Sequence, residues 1–247
     1  DNQAQQLNIS VPQIYINTQP RGSVPSSMWD SGIPALMLSY NMNAYQSQSN
    51  GYESKTYYSS INSGLNIGSW YLRHNGSYNW ANGTGGRYTV LNTYLQHDLP
   101  RISGRMLVGQ SNTSGQLFDT VPITGIQVSS DERMLPESQR GYAPEIRGIA
   151  KTNAKVTVKQ GGATIYETTV SPGAFVINDL YPTGYGGNLD VTIEEADGSQ
   201  QNYSIPYAAV SQLLRPGSQR YSLSAGKLRS DNVPNDPSLL EATYQRG

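Results

Sequence analysis

The sequence predicts an all-β chain in two parts: a small Ig-like sandwich, and a longer antiparallel sheet into which it is inserted. Three observations predict this. Apolar and polar residues alternate with period 2 over about eight runs of roughly ten residues, the length a tilted membrane strand needs. Residues 142–208 have a different texture, with short strands and tight turns. Charged residues are only 14% of the 247, and Tyr outnumbers Phe 18 to 2. Tyrosine has an apolar ring and a wet hydroxyl, which suits a surface with oil on one side and water on the other.

Taken in order, Leu7 to Ile16 reads as a short strand, followed by a loop bearing Pro20, Gly22 and Pro25. From Gly32 the long runs begin. Leu36, Leu38, Tyr40, Met42 and Ala44 alternate with Met37, Ser39, Asn41, Asn43 and Tyr45. Over 54–67, Tyr57, Ile61, Leu65 and Ile67 share one face, and Thr56, Ser60, Asn62 and Asn66 the other. Over 69–80, Trp70, Leu72, Tyr78 and Trp80 oppose Ser69, Arg73, Asn75, Ser77 and Asn79. Runs at 87–98, 102–111, 123–130 and 219–229 continue the pattern, and a last strand is expected from Ala242. A soluble antiparallel sheet alternates too, so periodicity alone leaves a membrane barrel and a soluble sandwich both open. The polar face is mainly Ser, Thr and Asn, and Trp70 and Trp80 lie near strand ends, like an aromatic girdle.

The insert reads as about six short strands. Val156 and Val158 alternate with lysines and Thr157, and Gly161-Gly162 supplies a two-residue hairpin turn. Phe175 and Ile177 follow Pro172-Gly173. Leu189, Val191 and Ile193 alternate with Asp190, Thr192 and Glu194, and Asp197-Gly198 makes the next turn before Tyr203 and Ile205. That density of strands indicates an Ig-like sandwich. Pro-bearing linkers at 131–147 and 206–218 flank it, with barrel-like strands on both sides.

Size then constrains the barrel reading. An eight-stranded barrel is just wide enough for its own side chains. A domain of about 60 residues has a radius of gyration near 10 Å and cannot enter it. Either the sandwich hangs outside, or these strands are part of a far larger barrel. Tyr244-Gln245-Arg246-Gly247 reads as mid-strand, so a piece of a larger sheet is expected. The first residues, Asp1 to Gln6, lack the charged and apolar regions of a signal peptide. The chain is therefore expected to start after processing or partway along a longer protein.

Other chemistry finds little footing. A net charge of -1 gives no reason to expect nucleic-acid binding, and without cysteine there is no thiolate chemistry. No apolar run is long enough for a membrane helix, which leaves β-barrels untouched. His74 and His97 lack a second ligand at helical or hairpin spacing and read as strand histidines near a rim or lumen. Gly83-Thr84-Gly85-Gly86 and Gly184-Tyr185-Gly186-Gly187 read as loop tips. Glu194, Glu195 and Asp197 lack the spacing of a calcium loop. Sequons at Asn8, Asn75, Asn82, Asn112 and Asn202 follow from an Asn- and Ser-rich composition. No metal, cofactor or catalytic residue is expected, and the chain is not read as an enzyme.

Several stretches resemble one family. Trp29-Asp30-Ser31-Gly32-Ile33 with Leu38-Ser39-Tyr40, Ser63 through Arg73, and Gln116-Leu117-Phe118-Asp119 are similar to the first barrel strands of fimbrial outer-membrane ushers. The most specific stretch is Ser130 to Pro136 with Gln139-Arg140-Gly141-Tyr142-Ala143-Pro144, running on into Arg147-Gly148-Ile149-Ala150 and Val156 to Gln160. Ile177-Asn178-Asp179-Leu180, Glu195-Ala196-Asp197-Gly198 and Leu213-Leu214-Arg215 extend it in order along nearly the whole chain. The resemblance is to ushers of the type 1 pilus kind. Ala174 stands where the family often has proline, and Gln110 where it often has an acid.

The resemblance implies a partial transmembrane antiparallel β-barrel with an inserted Ig-like plug. Residues 1–28 would be the tail of a periplasmic N-terminal domain and its linker. Residues 29–141 would be about six barrel strands and a linker, 142–208 the plug, and 209–247 the return linker and next strands. It implies a bacterial outer-membrane pore that receives periplasmic chaperone–pilus subunit complexes, assembles the subunits and secretes the fibre. Subunit folding and strand exchange, without ATP or cofactor, would drive it. Outer-membrane lipid is the other partner, and a dimer is compatible. Within the linker, Asp131, Arg133, Arg140 and Arg147 are expected to form ion pairs that bias the plug toward its closed position. The alternative reading is a soluble, secreted β-sandwich that binds glycans through its Tyr and Trp residues.

Overall fold

A strand whose side chains alternate must put its apolar set on one face, and neighbouring strands in register merge those sets into a surface. The computed structural model describes residues 9–16, 18–208, 212–230 and 235–247. Its strands are β1 (Ala35–Ser49), β2 (Tyr52–Ile67), β3 (Trp70–Ala81), β4 (Gly85–Leu99), β5 (Gly104–Asn112) and β6 (Pro122–Ser130). Then come β7 (Ile146–Ala150), β8 (Ala154–Gln160), β9 (Ala163–Val170), β10 (Gly173–Ile177), β11 (Gly187–Glu194) and β12 (Gln200–Tyr207). Last are β13 (Gln219–Leu228) and β14 (Ser238–Arg246). The chain divides into two units: Pro25–Met134 with Arg220–Gln245, and Asp1–Val24 with Leu135–Gln219 and Arg246–Gly247.

The first unit is a single antiparallel sheet in the order β1-β2-β3-β4-β5-β6-β13-β14. Sequence neighbours are sheet neighbours except after β6, where the chain leaves and returns alongside as β13. The long-run expectations are borne out as strands of this sheet. The last strand starts at Ser238, ahead of the expected Ala242, because Leu239-Leu240 blurs the alternation there.

Three adjacent strands of this sheet carry glycine in register: Gly109 opposite Gly125, and Gly125 opposite Gly226. A Cβ on Gly125 would fall on the Ala225 carbonyl oxygen and 2.6 Å from the Gly226 Cα. A Cβ on Gly226 would sit 2.8 Å from the Gly125 Cα. The two backbones approach so closely that no side chain fits, which is what glycine in a strand interior commonly marks. Elsewhere tyrosine rings fill the space beside glycines. Tyr88 lies over Gly76, Tyr78 over Gly86 and Tyr221 over Gly104. At Gly76 the β3–β4 register shifts, which leaves Leu91 as the extra residue of a bulge. The Leu91 carbonyl accepts from the Arg229 guanidinium at 2.6 Å.

The second unit is the expected sandwich. One sheet runs β12-β11-β8-β9 and the other pairs β10 with β7. Gly161 and Gly162 both have positive φ, as a two-residue hairpin turn requires. Ile146, Val156, Val158, Phe175, Leu180, Leu189, Val191 and Ile193 form the centre of its core, each at most 1% exposed. The Phe175 ring occupies the place a Cβ on Gly148 would take.

The strand expected over Leu7–Ile16 is not found in its described part. Residues 7 and 8 lie outside the described residues, and Gln13–Tyr15 form a 3-10 turn behind Pro12. Proline has no N–H to give a ladder, so alternation there does not become a strand.

Two charged side chains hold the sandwich turns from inside. Glu195 is only 5% exposed. Its carboxylate accepts from the Lys151 amide (3.0 Å), the Thr152 amide (2.8 Å), the Thr152 hydroxyl (2.6 Å) and the Gln201 side chain (3.2 Å). It thereby ties the β7–β8 turn to the β11–β12 turn. The Lys151 amide, then the Thr152 hydroxyl, favour the charged form and hold the carboxyl below the usual glutamate range. A lowered carboxyl pKa adds stability that is fully present above the unfolded value, near 4.5, and is lost as pH falls through the folded one. The sandwich is therefore expected to lose thermal stability on acidification below about pH 4.5. Glu195→Gln should lower stability at pH 7 and flatten that dependence. Parallel melting-temperature curves for the two proteins would refute the assignment.

Arg215 is the second, 4% exposed. Its guanidinium donates to the carbonyls of Gly141 (2.8 Å), Asn178 (3.2 Å), Arg140 (3.5 Å) and Leu180 (2.6 Å). Burial pushes its pKa down.

Candidate functional site: membrane face and insertion neck

The sheet unit has one face made for an apolar surrounding. Leu36 pairs with Leu65, Leu65 with Leu72, and Leu72 with Leu95. The row runs on through Val108, Ile126 and Ala225. Seven strands thus place aliphatic side chains in one line. Leu36 is 81% exposed, Met42 72% and Leu38 67%. Among the described residues Ile123 is the one buried large apolar residue of this unit. A water-soluble protein rarely leaves so large an apolar surface uncovered.

Aromatic side chains border the aliphatic row. Trp70 stacks on His97 with centroids 4.4 Å apart, and Tyr57 meets Trp80 at 5.1 Å. His97 belongs to this border, as expected of a rim histidine. His74 instead sits mid-strand on the apolar face, where its ring nitrogens contact the Thr93 hydroxyl (2.6 Å) and the Tyr88 hydroxyl (2.7 Å). The opposite face is polar. Ser39, Asn62, Asn75 and Asn92 lie in one cross-strand row, and Ser60, Ser77 and Thr89 in another.

The neck is where the insert leaves β6 and returns to β13. Asp131 follows β6 directly, and its amide donates to the Ser103 carbonyl at 2.8 Å. Its carboxylate accepts from the Arg133 amide (3.0 Å) and from the Arg133 guanidinium at 2.9 and 2.8 Å. Arg105 reaches the same carboxylate at 3.2 Å and also holds Asp98 at 3.0 Å. The bonds from Arg133 hold Asp131 below the usual carboxylate range, against its partial burial. Glu132 pairs with Arg220 at the start of β13. Tyr221 donates its amide to the Ser130 hydroxyl (3.1 Å) and its own hydroxyl to the Ile102 carbonyl (2.8 Å). Outgoing and returning strands are thus pinned to each other and to the β4–β5 turn.

Of the four linker residues expected to act together, Asp131 and Arg133 are joined here. Arg140 and Arg147 belong to the sandwich unit. There Arg140 donates to the Leu135 carbonyl at 2.9 Å, and Arg147 pairs with Glu145 at 2.7 Å. Sequence reasoning missed Arg105 and Arg220, which reach Asp131 and Glu132 from remote parts of the chain, and Asp98, which faces Arg105 across the β4–β5 turn.

A family model for outer membrane usher proteins matches residues 58–247. The chain belongs to the outer membrane usher family. A model of the PapC N-terminal domain matches residues 1–44. The outer membrane usher protein HtrE of Escherichia coli strain K12 is 46% identical over 243 residues, which is 98% of this chain and 28% of that usher. MrkC of Klebsiella pneumoniae is 43% identical over 245 residues, 98% of this chain and 30% of that usher. A cryo-EM structure of an E. coli P pilus tip assembly intermediate, PapC-PapD-PapK-PapG in the second conformation, aligns with TM-score 0.59 and 33% identity. The alignment covers 96% of this chain and 30% of that one. The chain therefore spans less than a third of the length of the curated usher relatives it matches. The soluble glycan-binding alternative is set aside. Tyr57, Trp70, Tyr78 and Trp80 share their face with an aliphatic row that crosses seven strands of an usher sheet.

Proposed function

We propose that this chain is the wall and plug of a bacterial outer-membrane usher that assembles and secretes pilus subunits delivered by periplasmic chaperones, with the sandwich gating the pore. Its work is transport and assembly, with no catalytic chemistry of its own. Residues 29–141 and 209–247 supply wall and linkers, 142–208 the plug, and 1–28 the tail of a periplasmic domain. The supporting observation is the insertion of a self-contained sandwich between two paired strands of a sheet with a lipid-compatible face. Only closed sheets satisfy every backbone group in lipid, so these strands require further strands beyond them in a complete barrel.

In this reading Asp131, Arg133, Arg140 and Arg147 bias the closed state. Exposed ion pairs are each worth about 0–1 kcal/mol, a size that suits a switch better than a permanent bond. Planar-bilayer conductance of the complete barrel tests both ideas. Deleting 142–208 should open the pore fully, and charge reversal at Asp131 should raise resting conductance part of the way. A barrel that conducts the same with and without the sandwich would end the gating proposal.

A further inference from the structure

Residues 9–16 and 18–21 lie along the sandwich yet are hardly buried in it. Ile9 is 74% exposed and Tyr15 78%, so apolar burial does not hold this stretch in place. Three points of contact do. Pro12 packs on Gly173, where a Cβ would come within 2.6 Å of its ring. The side-chain oxygen of Gln13 accepts from the Val176 amide at 2.9 Å. That amide points away from β7 and would otherwise be an open donor on the edge of β10.

The third point is Arg21. Its Nε donates to the Asp179 carboxylate at 2.9 Å and a terminal nitrogen to the Asp179 carbonyl at 2.8 Å. The guanidinium carbon lies 4.4 Å from the Tyr166 ring centroid and 4.8 Å from that of Tyr181. The Arg21 carbonyl accepts from Ser138, which is fully buried, at 2.6 Å. One carboxylate, one carbonyl and two aromatic faces match a planar, forked cation. A lysine ammonium cannot reproduce both the fork and the stacking.

We propose that Pro12, Gln13 and Arg21 fasten a releasable strap on the sandwich, and that the seat formed by Asp179, Tyr166 and Tyr181 is a guanidinium-specific latch for Arg21. Apart from the bond from buried Ser138, the contacts are few and lie at the sandwich surface, so the strap opens without unfolding the core beneath it. Opening frees the β10 edge and vacates the seat. Because the sequence beyond Val24 leads into β1, the strap is a tether between sheet and sandwich in addition to the two linkers. The strap and its latch do not depend on whether the sandwich gates a pore.

Hydrogen-exchange mass spectrometry on the complete protein in detergent tests this with Arg21→Ala and Arg21→Lys. Both variants should speed exchange over 173–178 by about five- to twentyfold, the size expected for losing an exposed ion pair with cation–π contacts. Peptides from β8 and β11 should exchange as in the parent. Unchanged exchange over 173–178 would overturn the strap. Lysine behaving like arginine would overturn the guanidinium latch. Acceleration throughout the sandwich would make Arg21 a part of the fold, contrary to the proposal.

Discussion

A valine at position 125 is expected to stop β6 and β13 from pairing, and with them the sheet on either side of the insert. The Gly125 Cβ position is already taken by the Ala225 carbonyl oxygen and the Gly226 Cα. These are backbone atoms of the neighbouring strand and cannot rotate away as a flexible side chain can. Inserting bulk into a filled site costs about 1–3 kcal/mol when side chains can adjust. Here the ladder itself must part, so the cost is larger. The complete protein carrying Gly125→Val should lose most of its folded, heat-modifiable form in outer-membrane fractions, and Gly226→Ala should behave alike. Ala225→Val, on the apolar face, is the matched control and should fold. Normal folding of Gly125→Val would mean that the strands are not this close.

The second large effect is expected at Arg215. Replacing it with alanine strands the carbonyls of Gly141, Asn178 and Leu180 in a site from which that side chain excludes water. Leaving buried polar groups unpaired costs about 1–3 kcal/mol each, with part recovered if water enters. A loss of about 2–4 kcal/mol is a large share of the 5–15 kcal/mol that holds a typical domain. Urea denaturation of the sandwich spanning 135–219 should show it as a lower midpoint with an unchanged slope. The shorter piece 142–208 lacks Arg215 altogether and should be correspondingly weak. Equal midpoints for 135–219 with and without the arginine would remove Arg215 from this role.

These two residues mark the border of what the sequence discloses. The long strands were legible because a period of 2 is written locally: Leu36, Leu38, Tyr40 and Met42 announce a face without knowledge of any partner. The same rule misfired at Ile9 and Val11, where Pro12 breaks the run and a 3-10 turn follows. The Asp197-Gly198 turn is legible too, whereas the role of Glu195 is not, because its partners are backbone amides more than forty residues earlier. Asp131 with Arg133 could be guessed as a pair because they are two residues apart. Arg105 and Arg220 could not, since only the β4–β5 turn and the return of β13 bring them there. Arg21 carried no local signal at all, because its seat is assembled from β9 and the loop after β10.

The register of β13 on β6 carries a consequence for biogenesis. Ser222 faces Ser129 and Leu228 faces Ile123, as in a simple hairpin, although residues 131–218 intervene. A floppy connection of that length would make the meeting of its two ends costlier than a tight turn by roughly 3 kcal/mol. A sandwich that has already folded holds those ends near one another and removes most of that entropic handicap. The order of events during maturation should therefore run from the insert to the wall, with the globular piece acting as a template for the strands that flank it.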